Sequence, residues 1–216
     1  MSETMIIALV SAGATLLVSI ITLIVNAFID RFKSKLEIQQ NMYQSKRNNL
    51  NDVYKALISI VNLYPKSSPN DILKCVEYAP NYSMESFDSV IKSLDYQIDD
   101  YKKQLDIENI DYQRKSNIET QISNREYSKK KIIEIRDMYF DARDKYKLFC
   151  ETDKVIFDLY AGQEVKNCLV QFEMMRDNVF ISGYCVGAVA DDPLQNNVEI
   201  CRRDLINCMR YDLGID

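Results

Sequence analysis

Apolar and polar positions divide this chain into blocks, and the first block differs from all the others. From Thr4 to Ile29 there is no charged residue, a run of 26 positions. As a helix rising about 1.5 Å per residue it would be roughly 39 Å long. A hydrocarbon core is about 30 Å thick, so the run can span it with some tilt. The pattern therefore predicts a transmembrane helix from Met5 to Ile29, after a short N-terminus of residues 1–4. A signal peptide fits less well, because Met-Ser-Glu-Thr holds an acid and no Lys or Arg, and the apolar run is too long.

No Gly or Pro occurs between Ala14 and Tyr64, so the anchor is expected to continue as a juxtamembrane helix over residues 30–64. Its start is polar. Leu50, Tyr54, Leu57, Val61 and Tyr64 then recur at alternating spacings of four and three, the stripe of a packed helix. Pro65, Pro69 and Pro80 enclose an irregular connection with a short helix over Asn70–Tyr78. Ser83 is the expected N-cap of a helix over Met84–Leu105, whose seam is Phe87, Ile91, Leu94, Ile98, Tyr101 and Leu105. A third helical region spans Asp111–Tyr160, with a break expected in the polar stretch Arg125–Lys131, and Gly162 provides a left-handed turn after it. A fourth helix starts at Glu164. The apolar segment Val179–Ala190 is too short to cross a bilayer and is expected as buried helix. Asp192 and Pro193 suit the N-cap and first turn of a last helix, with Val198, Cys201, Leu205, Cys208 and Tyr211 inward.

Two features add detail to this helical pattern. Within the anchor, Ala8, Ala12, Thr15, Ser19, Thr22 and Asn26 follow spacings of four and three, a stripe of small and polar residues along one face. Such stripes let membrane helices approach closely and hydrogen-bond, so they form a candidate self-association seam. The competing role is that Ser and Thr bond their own helix carbonyls. The second feature is charge. Residues 95–111 carry six acids against two lysines, and residues 114–136 carry seven bases against three acids. A reversal near Asn109 would lay these blocks side by side.

Composition narrows function more than it defines it. The chain has no histidine, which removes Ser-His-Asp and Cys-His catalysis and most catalytic zinc sites. It has no P-loop or G-x-G-x-x-G cradle for phosphates. Gly183-Tyr184-Cys185-Val186-Gly187 has the form of a nucleophile elbow with Cys for Ser, but no base accompanies it. The carboxylate pairs Asp99/Asp100 and Asp191/Asp192 diverge on a helix and give no metal site. With a net charge of −5, a general nucleic-acid surface is not expected. The six cysteines form no C-x-x-C pair and suit small buried apolar side chains. Abundant Ile, Asn and Tyr with scarce Gly match the style of an AT-rich bacterial genome.

Lys and Arg flank the apolar run only on its C-terminal side, at Arg31, Lys33, Lys35, Lys46 and Arg47. The positive-inside rule then puts the N-terminus outside the cell membrane and residues 65–216 in the cytoplasm. The expected fold is all-α: one transmembrane helix followed by an elongated antiparallel helical bundle or coiled-coil hairpin. The expected function is that of a non-enzymatic, membrane-anchored scaffold or interaction protein. It forms a homo-oligomer, contacts membrane lipid and engages a cytoplasmic protein partner. No cofactor, metal, nucleic acid or small-molecule substrate is expected. The alternative is a single-pass membrane effector, a pore former or stress and defence protein triggered through its cytoplasmic helices.

Overall fold

The computed structural model describes residues 3–106, 110–189 and 192–215. The chain divides into two compact units, Met1–Asn48 and Asn49–Asp216. The first is helix throughout its described residues, all of it part of α1 (Glu3–Val61). α1 is long and apolar enough to cross a membrane, and none of its most apolar window is buried inside the chain.

The second unit holds the end of α1 and the remaining elements. These are α2 (Pro69–Leu73), α3 (Phe87–Leu105), α4 (Tyr112–Thr152), α5 (Lys154–Tyr160), α6 (Gln163–Phe180) and α7 (Asn197–Asp212), with a small ladder of β1 (Ala188–Val189) and β2 (Asp192–Asn196). Boundaries follow local chemistry. Ser68 accepts the Asn70 amide at 3.2 Å ahead of Pro69, and Asp111 accepts the Gln113 and Arg114 amides at the head of α4. Several limits differ from the sequence pattern. Ser83 does accept an amide, that of Ser86, but it caps a turn, and α3 begins only at Phe87. α4 runs unbroken through Arg125–Lys131, and the break falls at Asp153 instead. Helix α6 stops at Phe180, so Ile181–Gly187 is irregular chain rather than buried helix. Asp192 and Pro193 lie in β2, and the N-cap of α7 is Asn196, whose side chain accepts the Glu199 amide. The expected reversal at Asn109 and the residue Asp191 lie outside the described residues.

Three apolar clusters fill this unit, and α4 contributes to each. The largest joins Leu50, Tyr54, Leu57 and Tyr64 of the chain around the end of α1 to Tyr139 and Phe149 of α4, with Phe157, Phe172 and Leu205. Edge-to-face rings knit it, with centroids 6.0 Å apart for Tyr64 and Tyr139 and 5.6 Å for Tyr64 and Phe172. A second cluster sets Leu73, Tyr82 and Leu94 against Ile132, and a third sets Ile98 against Ile118 and Ile122. Ion pairs border the α3–α4 contact: Asp95 with Lys129 at 2.5 Å and Lys102 with Glu126 at 3.5 Å. Of the residues expected inward on α7, Tyr211 is instead exposed, and Met209 takes the core position.

A charged side chain, that of Arg125, is buried within this unit. Arg125 is 1% exposed. Its Nε donates to Gln97 Oε1 at 2.8 Å, Nη1 to the Gln121 carbonyl and side chain, and Nη2 to the Glu77 carbonyl at 2.8 Å. The adjacent Tyr78 has φ 58°, a conformation that costs a bulky residue energy. Gln97 Nε2 donates to the Tyr78 carbonyl at 3.2 Å. Arg125 and Gln97 thus hold both carbonyls of the strained turn.

Candidate interaction surface

Helix α1 in the first unit offers a surface with no cover from this chain. Its described residues from Gly13 to Ser45 are exposed. Of the predicted seam, Thr15, Ser19, Thr22 and Asn26 lie on the exposed helix, while Ala8 and Ala12 fall outside the described side chains. Ser19 Oγ donates to the Thr15 carbonyl at 2.8 Å, and Thr22 Oγ1 to the Val18 carbonyl at 2.8 Å. Those two hydroxyls are therefore satisfied within the helix. What they leave to a neighbour is small size and a polarisable surface.

Exposed apolar residues continue along α1 from Ile29 onward. Ile29, Phe32, Leu36, Met42 and Tyr43 are all exposed, with Leu36 at 46% and Tyr43 at 55%. Ile29, Leu36 and Tyr43 are seven residues apart, and counting back by sevens reaches Thr22, Thr15 and Ala8. The polar residues around Lys33–Asn49 obscure this repeat. Its signal is the strict heptad, visible once Ile29 is aligned with Leu50, Leu57 and Tyr64. A straight helix drifts about 20° per heptad, so a sustained seven-residue repeat favours left-handed supercoiling with a partner.

Where α1 ends, in the second unit, polar side chains of α7 hold it. Arg202, 5% exposed, donates from Nε to the Val61 carbonyl at 3.2 Å and from Nη2 to the Tyr64 carbonyl at 2.8 Å. The Val61 carbonyl is one that the helix end leaves without an intrahelical partner, and the Tyr64 carbonyl lies in the turn after it. Burial lowers the Arg202 pKa, and Glu199, which accepts from its Nη1, opposes that shift. Asn196 Nδ2 donates to the Lys66 carbonyl at 2.9 Å. At the other end of α7, Asp212 Oδ2 accepts from Tyr54 Oη at 2.5 Å and from the Gly162 amide at 3.1 Å. Burial, then the hydrogen bond and charge of Asp212, push the Tyr54 phenol above its ordinary range. Gly162 has φ −64°, not the expected left-handed turn. Its lack of a side chain matters for another reason, since a Cβ would sit 2.8 Å from Asp212 Oδ1.

The Gly183–Gly187 segment has no strand-to-helix elbow. It lies in the irregular chain after α6, and a Cβ on Gly183, at φ 81°, would run into the Tyr82 carbonyl. Asn70 Nδ2 donates to the carbonyls of Tyr82 and Gly183, and its Oδ1 accepts the Tyr82 amide at 2.8 Å. Asp71 accepts the Val186 amide at 2.9 Å and Lys74 Nζ at 2.7 Å. Burial raises the Asp71 pKa, but the bonds from Lys74, Val186 and Cys185 outweigh it and hold the carboxyl below its usual value. The open cleft here, about 680 Å³, is lined by Asn70, Lys74, Tyr82 and Cys185 among others. The bonds of Asn70 and Asp71 to the Tyr82, Gly183 and Val186 backbone fix the loop. Among the described residues, no group of three or more Cys, Asp or Glu could hold a metal ion. No protein-family model, no curated protein and no solved structure matches the chain.

Proposed function

We propose that this chain is a single-pass, membrane-anchored, non-enzymatic interaction protein that self-associates through α1 and presents its helical domain to a protein partner. The observation that carries the proposal is the exposed apolar length of α1, of which the most apolar window has nothing buried against the chain. Twelve Leu, Ile and Val residues lie between Ile6 and Val25. At a few tenths of a kcal/mol each, their transfer into a bilayer gains roughly 5 kcal/mol before the polar residues are counted. The basic flank at Arg31, Lys33 and Lys35 supports an outside N-terminus and a cytoplasmic domain.

Self-association draws on the heptad line through Thr15, Thr22, Ile29, Leu36 and Tyr43. Copies inserted in the same direction present this face at the same depth, which suits a parallel pair in register. Within the domain, α3 and α4 form an antiparallel hairpin in this proposal. The pairing of Asp95 with Lys129 and of Lys102 with Glu126 supports that direction.

Fractionation tests the anchor and its direction. The full chain is expected to stay with membranes through alkaline carbonate, and the exposed Cys75 and Cys185 to resist an impermeant thiol reagent until the cells are opened. Release by carbonate would sink the anchor. Labelling in intact cells would reverse the orientation.

A further inference from the structure

Six cysteines are free thiols, and two of them meet. Cys168 on α6 and Cys208 on α7 place their sulfur atoms 2.9 Å apart, forty residues distant in sequence. Both are half-buried, so neither lies open to solvent as Cys75 and Cys185 do. A disulfide needs about 2.05 Å between sulfurs, so closure asks for side-chain movement of only about 1 Å. We infer that Cys168 and Cys208 are a reversible dithiol–disulfide pair that staples α6 to α7, with low-molecular-weight disulfides as the oxidant class.

The chemistry balances as two exchanges. A thiolate of one cysteine attacks the small disulfide, giving a mixed disulfide and releasing one small thiol. The second cysteine loses its proton and attacks the protein sulfur of that mixed disulfide, releasing the other small thiol. The net change is two cysteine thiols and one small disulfide converted to one protein disulfide and two small thiols. Burial, the hydrogen bond with Cys208 and the nearby Asp204 and Glu164 carboxylates raise the Cys168 pKa to about 12. The Cys168 thiolate is therefore scarce at neutral pH.

The position gives the staple a consequence. Cys208 lies on α7 between Arg202, which holds the Val61 and Tyr64 carbonyls, and Asp212, which holds Tyr54 and Gly162. Oxidation would fix against α6 the helix that secures the end of α1.

The test treats the detergent-solubilised full chain with oxidised glutathione, then digests it without reduction for mass spectrometry. The expected product is a Cys168–Cys208 linked peptide lacking two hydrogens, reversed by dithiothreitol and formed about tenfold faster per pH unit near neutrality. Closing this loop is expected to raise the melting temperature by roughly 10 °C. Cys168→Ser should abolish the link and leave Cys208 carrying glutathione. Cys168→Ala and Cys208→Ala, compared by circular dichroism, separate a lost link from a lost fold. Folded wild-type chain that keeps both thiols, or that carries glutathione on each without a link, would overturn the inference.

Discussion

Arg125 is buried where a charged side chain needs every donor answered, and the oxygens it binds come from Gln97, Gln121 and the Glu77 carbonyl. Truncation to Ala should leave those groups unpaired and cost about 2–4 kcal/mol, read as a lower urea midpoint. Tyr78 offers the opposite sign. Its side chain is 83% exposed while its backbone sits at φ 58°, so Tyr78→Gly should gain about 1 kcal/mol by relieving left-handed strain. A lower midpoint would show that the turn is not strained. Neither residue was legible beforehand, since Arg125 sits in a stretch that looks solvated and nothing local marks a positive φ at Tyr78. Arg202 and Asp212 were hidden likewise, because their partners lie more than a hundred residues away or on the backbone.

At the scale of elements, apolar spacing carried most of the information. Leu50, Leu57, Leu94 and Leu205 are all buried, and each was placed by apolar spacings of three and four. Ends were less legible, because caps depend on where tertiary contacts halt a helix, as at Phe180 and Asn196. The burial of two tyrosines also makes stability depend on pH at the alkaline side. Burial raises the Tyr64 and Tyr82 pKa values to about 12 each, against an ordinary 10.0. The folded state thus holds these protons more tightly than the unfolded chain. Their contribution is complete below pH 10 and is lost as pH rises toward 12. Phenolate absorbance should show both tyrosines ionising late, together with unfolding. Titration of all tyrosines near the ordinary value in folded protein would contradict this. Asp71 acts at the other side. Its lowered pKa means that stability is present above about pH 3.8 and falls as the folded carboxyl is protonated below it. Asp71→Asn should therefore flatten the acid limb of a melting-temperature profile.

For the whole molecule, the central question is what covers α1. Leu16, Leu23 and Phe28 are exposed along α1, and so are Leu36 and Tyr43 on the heptad line. That α1 holds a segment long and apolar enough to cross a membrane was legible from its uncharged length alone. The extension of its face past Ile29 was not, because lysines and glutamines interrupt the apolar run there. The most direct measurement is site-specific photo-crosslinking in native membranes, with a photoreactive residue placed singly along α1. Homodimer bands are expected from Leu36 and Tyr43, and none from Ile38 or Asn41 on the other side of the helix. Equal crosslinking at all four positions, or crosslinking at none, would contradict pairing through the heptad line.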